Sequence, residues 1–285
     1  MSAFPLLVLS HYQAQALLDA HAQGRPQVDI SPDLGRSTTT VSLSAEGVRF
    51  PQGVQVAWEV IQAIAGDENG CFALTPTGEA ERIQAFSEVT GRLITLYPTS
   101  GAPTMLLSGV PMHRIKGVGP WEDTRGKVRA LGKVQGRVLD TATGLGYTAI
   151  QLAVRARQVD TIELDPAVLT VARQNPWSQE LFTAPNIVRH EGDTFDVVAE
   201  LPAGAFDAVL HDPPAFSLAG HLYGVDFYRE LYRVLRPGGR LFHYIGDPRS
   251  KSGRNITRGV LERLRAAGFR SLRPRPKAFG VVGRK

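Results

Sequence analysis

From Trp121 onward the chain alternates strand and helix patterns, and this alternation is the feature that most constrains its fold. Runs of strand length, such as Arg137–Thr141, Asp160–Glu163 and Ile187–Glu191, are separated by segments whose apolar residues recur at helical spacing. A strand–helix repeat of this kind builds a parallel sheet that is covered by helices on both faces. We therefore predict an α/β fold with a sheet of seven strands in this part of the chain.

The first part of the chain follows a different pattern. A helix is predicted over His11–Gln23, with Ser10 as its N-cap. The stretch TTTVSLSAEGVRF alternates polar and apolar residues and predicts a hairpin that turns at Glu46-Gly47. A short helix and several short apolar strands follow. We predict a small α+β domain over residues 1–110, in which no motif suggests catalysis, and a Rossmann-like domain over residues 111–285.

The fragment VLDTATGLG, residues 138–146, joins a buried strand to a helix. It places Asp140, Gly144 and Gly146 in the pattern D-x-x-x-G-x-G. Glycines at these positions let the backbone turn sharply and approach a ligand, while the next helix directs its N-terminus at that ligand. Ala142 occupies the position of the first glycine in many dinucleotide-binding loops, so the G-x-G-x-x-G pattern is incomplete.

Carboxylates also follow the next two strands. Glu163 lies 23 residues after Asp140, near the distance expected for an acid that binds a ribose. Asp193, in the segment EGDTF, follows the third strand. Because ligands bind at the carboxyl edge of such sheets, three acids at successive strand ends predict a nucleotide site. The alternative is that all three acids are structural helix caps.

These residues resemble motifs I, II and III of class I S-adenosylmethionine-dependent methyltransferases. The resemblance implies S-adenosyl-L-methionine as cofactor, with Gly144 and Gly146 beside its methionine moiety. It also implies that Glu163 binds the ribose hydroxyls and Asp193 the adenine, while Asp140 orients the loop or reaches the amino group through water. A nicotinamide-dependent dehydrogenase is the chemical rival, and the missing third glycine disfavours it.

The fourth strand ends in HDPPAF, residues 211–216. Asp212-Pro213-Pro214 resembles the catalytic motif of methyltransferases that act on exocyclic amino groups of bases. The lone pair of such a nitrogen is delocalised into the ring. Asp212 and the Pro213 carbonyl can each accept an amino hydrogen and favour a tetrahedral nitrogen. Prolines have no N–H and hold those carbonyls rigidly. The alternative is a rigid strand exit with a solvated aspartate.

The family motif places an aromatic residue directly after the two prolines, where it stacks on the flipped base. This sequence has Ala215 there and Phe216 one residue later. Phe216, Tyr223 or Trp177 could supply the ring instead, so the identity of the stacking residue stays open.

Over its whole length the chain resembles an archaeal and bacterial family of methyltransferases, related to enzymes that methylate the exocyclic nitrogen of cytidine in small-subunit ribosomal RNA. The recurring segments are PMHRIKG (111–117), PWEDT (120–124), LDTATGLGYTAI (139–150), NPWS (175–178), HDPP…FSLAG (211–220) and LYRVLRPGGRLFHYIG (231–246). The resemblance implies N-methylation of RNA. Two alternatives are an aminopropyltransferase of the polyamine-synthase type, in which Asp212 would deprotonate an amine, and a non-catalytic RNA-binding protein.

Positive charge is concentrated at the end of the chain. Residues 1–110 carry a net charge of −5, whereas residues 249–285 hold twelve Lys or Arg against Glu262 and carry +11. Such a concentration attracts a polyanion. We predict RNA as the partner. The fifth strand is predicted over Arg240–Ile245, after a turn at Pro237-Gly238-Gly239. Because Arg249, Lys251 and Arg254 follow this strand, we place them beside the active site. The alternative is that these cations coat a terminal helix and edge strands.

Composition narrows the remaining classes. No apolar run approaches the roughly 18 residues that span a bilayer, so we predict no membrane contact. No basic residue precedes the apolar stretch at residues 4–9, since the first is Arg25, and we predict a cytoplasmic protein. With Cys71 as the single cysteine and no cluster of ligand residues, we predict no metal. The oligomeric state is left open.

Overall fold

The computed structural model describes residues 6–214, 219–247 and 250–285, with the backbone alone at residues 251 and 252. It divides into two compact units. The first comprises Met1–Trp121 and Ala167–Gln179, and the second comprises Glu122–Pro166 and Glu180–Lys285. The first unit thus extends past residue 110, and the predicted domain boundary stays a prediction. Among the described residues, no helix is long and apolar enough to cross a membrane.

Three small antiparallel sheets and two helices form the N-terminal part of the chain. Their elements are β1 (Val8–Leu9), α1 (His11–Ala22), β2 (Gln27–Ile30), β3 (Thr39–Leu43), β4 (Gly47–Arg49), β5 (Gln55–Ala57), α2 (Trp58–Ala65), β6 (Phe72–Leu74), β7 (Ala80–Arg82), β8 (Gln84–Ser87), β9 (Arg92–Tyr97), β10 (Thr104–Leu107) and β11 (Val110–Pro111). The sheet orders are β1-β6-β7, β2-β3-β4-β5 and β11-β10-β9-β8. The predicted α+β character is confirmed.

Local sequence signals explain the start of this part. The Ser10 backbone N–H donates to Gln13 Oε1 at 2.9 Å, which satisfies a donor at the beginning of α1. The helix buries Ala14, Leu17 and Ala20, one residue per turn. The predicted hairpin is β3–β4, whose antiparallel pairing brings Leu43 opposite Val48.

A seven-stranded mixed sheet forms the larger part of the chain, as the strand–helix alternation predicts. Its elements are α3 (Pro120–Leu131), β12 (Arg137–Asp140), α4 (Tyr147–Ala153), β13 (Gln158–Glu163), α5 (Pro166–Arg173), α6 (Gln179–Thr183), β14 (Ile187–Glu191), α7 (Thr194–Glu200), β15 (Phe206–His211), α8 (Val225–Val234), β16 (Leu235–Tyr244), α9 (Lys251–Ala266), β17 (Arg270–Arg275) and β18 (Gly280–Arg284). The strand order is β14-β13-β12-β15-β16-β18-β17.

Direction and burial within this sheet follow from sequence. The first five strands in the order pair in parallel, and β18 runs antiparallel to both of its neighbours. The middle residues of the central strands, 138–139 in β12 and 208–210 in β15, are apolar and fully buried, although both strands also contain charged residues. Strands covered on both faces read as continuous apolar runs rather than as alternating ones.

β16 begins five residues earlier than the predicted strand over Arg240–Ile245. Its first residue, Leu235, pairs with Phe206, and the register then shifts so that Arg240 pairs with Ala208. The extra residues include Gly238, at φ +76°. The Pro-Gly-Gly segment, which was expected as a turn before the strand, is therefore a bulge within it.

Candidate active site

The three acids predicted to hold a nucleotide lie at the carboxyl edge of the sheet. Asp140 and Glu163 are the last residues of the neighbouring strands β12 and β13. Asp193 follows two residues after the end of β14, which is the next neighbour. The structure thus brings together the three positions that the sequence singled out.

The loop after β12 depends on its glycines. Gly146 has φ +77° and precedes α4, and a Cβ at this residue would lie 2.7 Å from Leu181 Cδ2. Gly144 has φ +53°, but a Cβ there would have no heavy atom within 4 Å. Gly146 is required by conformation and by close packing, whereas Gly144 faces open space beside the acids.

Asp140 stabilises this loop from below. Its carboxyl is fully buried, and Oδ2 accepts a hydrogen bond from Thr161 Oγ1 at 2.9 Å. The Thr161 hydroxyl is also 2.7 Å from the hydroxyl of Thr143, a residue of the loop. Burial raises the pKa of Asp140 well above its ordinary value. Within the described part of the chain Oδ1 has no hydrogen-bond partner.

Glu163 bridges the loop and its own strand end. Its Oε2 accepts the Gly144 backbone N–H at 2.9 Å, and its Oε1 accepts the Asp165 backbone N–H at 3.1 Å. Burial raises the pKa of Glu163 to about 7, although these two N–H groups favour the charged form. The carboxyl therefore changes its protonation near neutral pH.

Asp193 combines a structural role with partial exposure. Its Oδ1 accepts the Phe195 backbone N–H at 2.7 Å and caps the N-terminus of α7. Its Oδ2 lies 3.5 Å from His221 Nε2, and the side chain is 33% exposed. Asp193 is therefore the N-cap of α7, as the alternative interpretation predicts, and its Oδ2 lies at the surface of the site.

Asp212 follows directly after the last residue of β15 and forms an ion pair with a buried lysine. Its Oδ2 is 2.7 Å from Nζ of Lys127 on α3, whose side chain is 2% exposed. The same Nζ is 3.0 Å from Asp123 Oδ2, one helical turn earlier, and 4.2 Å from the centre of the Tyr244 ring. We call Asp123, Lys127 and Asp212 the buried triad.

The charges of the buried triad support one another. Burial disfavours a charged Lys127, but Asp212 and Asp123 raise its pKa above the ordinary value. Burial raises the pKa of Asp212, and the Lys127 ammonium acts in the opposite direction. Lys127 Nζ lies between two carboxylates, so it fixes the position of Asp212 Oδ2 through a charge-assisted hydrogen bond.

Buried aromatic and histidine side chains support the Asp212 loop. The Tyr223 hydroxyl donates to the Pro214 carbonyl at 3.1 Å, and the residue is 4% exposed. His211 is fully buried, with Nε2 3.0 Å from the Leu222 carbonyl and Nδ1 2.7 Å from Thr141 Oγ1. Burial lowers the pKa of His211 to about 3, so it is neutral and donates from Nε2. Tyr223 therefore lies beneath the loop, which differs from the predicted stacking on a base.

The other predicted substrate residues are placed as follows. Phe216 and Arg249 lie outside the described residues. Lys251 is the first residue of α9, and its side chain is not among the described ones. Arg254 is exposed in the first turn of α9. Trp177 belongs to the first unit, where its indole N–H donates to a backbone carbonyl of the same unit.

Lys127 and Asp123 were not predicted as site residues. The sequence does contain a signal for them, because α3 buries Asp123, Thr124, Lys127 and Leu131, which recur at helical spacing. Two of the four residues on this buried face are charged and are separated by one turn. A charged pair in the apolar stripe of a helix indicates a functional or paired site, since buried charges require partners.

Comparisons with known proteins identify the family of the chain. Residues 138–239 match the family model described as Methyltransferase domain. A protein of Methanocaldococcus jannaschii, named as uncharacterised, is 44% identical over 239 residues, which cover 83% of this chain and 81% of that protein. The chain belongs to the family of this archaeal protein. The chain carries a class I methyltransferase domain whose cofactor is S-adenosylmethionine.

Shorter matches cover parts of two other enzymes. Polyamine aminopropyltransferase 2 of Streptomyces coelicolor is 30% identical over 148 residues, 49% of this chain and 26% of that protein. The tRNA1(Val) (adenine(37)-N6)-methyltransferase of Tolumonas auensis is 30% identical over 145 residues, 44% of this chain and 54% of that protein. The chain therefore spans between a quarter and just over half of these two relatives.

Among solved structures, a spermidine synthase in complex with the transition state analogue AdoDATO superposes with a TM-score of 0.57. It is 16% identical, and the superposition covers 71% of this chain and 72% of that one. At this identity the likeness shows the Rossmann-like fold alone.

Proposed function

We propose that the protein transfers a methyl group from S-adenosylmethionine to an exocyclic amino nitrogen of a base in RNA, and that this base is cytidine. The observation that carries the proposal is the position of Asp212-Pro213-Pro214. This segment follows β15, and β15 pairs with β12, which ends in Asp140. Lys127 holds the Asp212 carboxylate at 2.7 Å. An ordered acceptor thus lies at the sheet edge that carries the nucleotide-site acids.

The residues present fit S-adenosylmethionine. Open space at Gly144, the partnerless Oδ1 of buried Asp140 and the partly exposed Asp193 together offer room and acceptors at one strand edge. In this assignment Glu163 accepts hydrogen bonds from the ribose hydroxyls, and Asp193 accepts one from the adenine amino group. Asp140 orients the loop. The cofactor supplies an electrophilic methyl group on a sulfonium.

Asp212 and the prolines would act on the amino group. Because Lys127 engages Oδ2, we assign Oδ1 of Asp212 as the acceptor of one amino hydrogen. The Pro214 carbonyl already accepts from Tyr223, so the Pro213 carbonyl is assigned as the second acceptor. Two acceptors in fixed positions withdraw the nitrogen lone pair from conjugation and direct it out of the ring plane.

The proton balance also involves Asp212. The nitrogen gains a methyl carbon and loses one proton, while the bond between that carbon and sulfur breaks. Burial raises the pKa of Asp212, which makes this carboxylate a better proton acceptor than an exposed aspartate. Asp212 would accept the proton and release it to solvent.

Three observations support RNA as the substrate, and the first of them supports cytidine as the base. The chain resembles a family related to cytidine methyltransferases of ribosomal RNA. Its relative from Tolumonas auensis is named for methylation of an amino nitrogen of tRNA. Residues 249–285 carry a net charge of +11, which favours a polyanionic partner.

The test is a methyl-transfer assay on RNA from cells that lack the protein, followed by mass spectrometry of the nucleosides. We expect N4-methylcytidine from the wild type. We expect Asp212→Asn to lose roughly a hundredfold or more of the rate, because it removes the charged acceptor, while it still binds S-adenosylhomocysteine. A different methylated nucleoside would overturn cytidine, and a fully active variant would overturn the role of Asp212.

A second candidate is favoured by the match to Polyamine aminopropyltransferase 2. In that reaction Asp212 would accept a proton from an aliphatic amine. Incubation with decarboxylated S-adenosylmethionine and spermidine separates the two functions. We expect no longer or branched polyamine, and turnover to such a product at an ordinary enzymatic rate would place this candidate first.

A further inference from the structure

A groove lined by arginine side chains lies in the second unit, apart from the residues assigned above. Its volume is about 520 Å³, and no acidic residue lines it. Its arginines come from α3, β16, β17 and β18, and are Arg129, Arg240, Arg273, Arg275 and Arg284. We call these five residues the arginine groove.

Strand register explains why the arginines converge. Arg240 of β16 pairs with Arg284 of β18, and Arg273 of β17 pairs with Val282, two residues before Arg284. Because paired residues and residues two apart share a face of a sheet, these arginines project to the same side. Gly132 leaves room for them, since a Cβ there would lie 2.8 Å from Arg240 Nη1.

One end of the arginine groove, at Arg275, is level with the carboxyl edge of the parallel strands. Arg275 pairs with Gly280, and Gly280 pairs with Tyr244, the last residue of β16. The Tyr244 ring contacts Lys127, which binds Asp212. From this edge the arginines continue along the sheet face, through Arg273, towards the position of Arg240.

The charges of the arginine groove are not neutralised by the protein. Four of its arginines are exposed, and Arg240, which is partly buried, donates to the Lys133 backbone carbonyl. Within the described ranges, none of the five forms a salt bridge. Surfaces that serve solubility intersperse both signs of charge. Several like charges around one groove instead attract a polyanion, and guanidinium groups bind phosphate in a bidentate geometry.

We propose that the arginine groove binds the phosphate backbone of the RNA substrate and leads it to Asp212. This rests on the proposed function, because it assumes that the target base belongs to RNA. The groove uses Arg273, Arg275 and Arg284, which lie late in the basic segment, together with two arginines outside it. Partner contact was expected from the earlier residues of that segment.

The test compares two double variants that remove equal charge. Arg273→Gln/Arg275→Gln changes the groove, and Arg155→Gln/Arg157→Gln changes two exposed arginines just before the amino end of β13. Fluorescence anisotropy with a labelled 20-nucleotide single-stranded RNA, from 50 to 200 mM salt, reports affinity and its salt dependence. We expect the groove variant to lower the log–log salt slope by about 1.4, since each phosphate contact contributes about 0.7.

The control variant should keep the slope of the wild type, and both variants should bind S-adenosylhomocysteine normally. Equal salt slopes for the groove variant and the wild type would overturn the proposal that the groove binds RNA, even if RNA is methylated. Loss of slope in the groove variant without methylation of any RNA would support the groove and overturn the proposed function. Equal losses in both double variants would show non-specific attraction and would also overturn the groove.

Discussion

The buried triad and the arginine groove both lie in the second unit, but they hold charged side chains in opposite ways. In the triad, one lysine lies between two carboxylates, and all three side chains are at most 17% exposed. In the groove, five cations gather without a salt bridge among the described residues, and four are exposed. Buried charges need fixed partners, because water cannot compensate them. Exposed charges keep their hydration and act on a partner at a distance.

The largest effect is expected from Lys127→Met, which removes the cation from the buried triad. Two buried carboxylates then lose their partner, and we expect a loss of about 3–5 kcal/mol in the free energy of unfolding. Urea denaturation measures it. Lys133→Met, an exposed residue just after α3, is the matched control and should change stability by less than about 0.5 kcal/mol. If Lys127→Met lost as little unfolding free energy as the control, the charges of the buried triad would not need fixed partners, and the contrast with the arginine groove would fail.

Asp160 provides an intermediate case within the buried sheet. It is fully buried and receives two hydrogen bonds from Arg137, at 2.8 and 2.7 Å. Burial opposes its charge, but these bonds lower its pKa to about 2. The charged form is favoured in the folded state, so this stabilisation is present above the unfolded pKa near 4. It is lost as the pH falls towards 2.

We therefore expect Asp160→Asn to lose about 2 kcal/mol of unfolding free energy at pH 7, and a smaller amount at pH 2.5. Asp226→Asn is the control, because Asp226 forms an exposed salt bridge with Arg229 at 2.9 Å and should contribute about 0–1 kcal/mol. Urea denaturation at both pH values checks the pair. A pH-independent loss for Asp160→Asn would contradict the assigned cause.

The smallest effect concerns Glu163, at the border between buried and exposed charge. Since its pKa is about 7, the charged form increases from pH 6 to pH 8. A carboxylate accepts stronger hydrogen bonds from the ribose hydroxyls than a carboxylic acid does. The affinity for S-adenosylhomocysteine should therefore rise by up to about tenfold over this range. Calorimetry should show this rise in the wild type and a flat profile for Glu163→Gln. Glu191→Gln, at the exposed end of the adjacent strand β14, should keep the rise.

The fold of the larger sheet was predictable because local patterns and topology agree. Parallel strands covered on both faces require apolar runs, and β12 and β15 show them. The acids at strand ends were predictable for the same reason, since parallel strands bring their carboxyl ends to one edge. β16 was less predictable, because whether Pro-Gly-Gly is a turn or a bulge depends on its pairing with β15.

The electrostatic partners were harder to predict, because they join residues that are distant in sequence. Asp212 and its partner Lys127 are 85 positions apart. The arginine groove likewise depends on the register between β16 and β18, which periodicity does not specify. Charge composition located a basic segment correctly but did not show which of its residues converge. Motifs therefore predicted which acids lie at the strand ends, but they did not predict which residue pairs with Asp212.

β17 is the last strand in the order of the large sheet, so one side of its backbone has no neighbouring strand among the residues that the structure describes. Open strand edges can pair with other chains and start aggregation, and charged side chains and proline oppose this. β17 contains Arg270, Arg273 and Arg275 as well as Pro274, which has no backbone N–H to donate. Arg273 and Arg275, to which the proposal assigns RNA contact, would then also keep the sheet from extending between molecules.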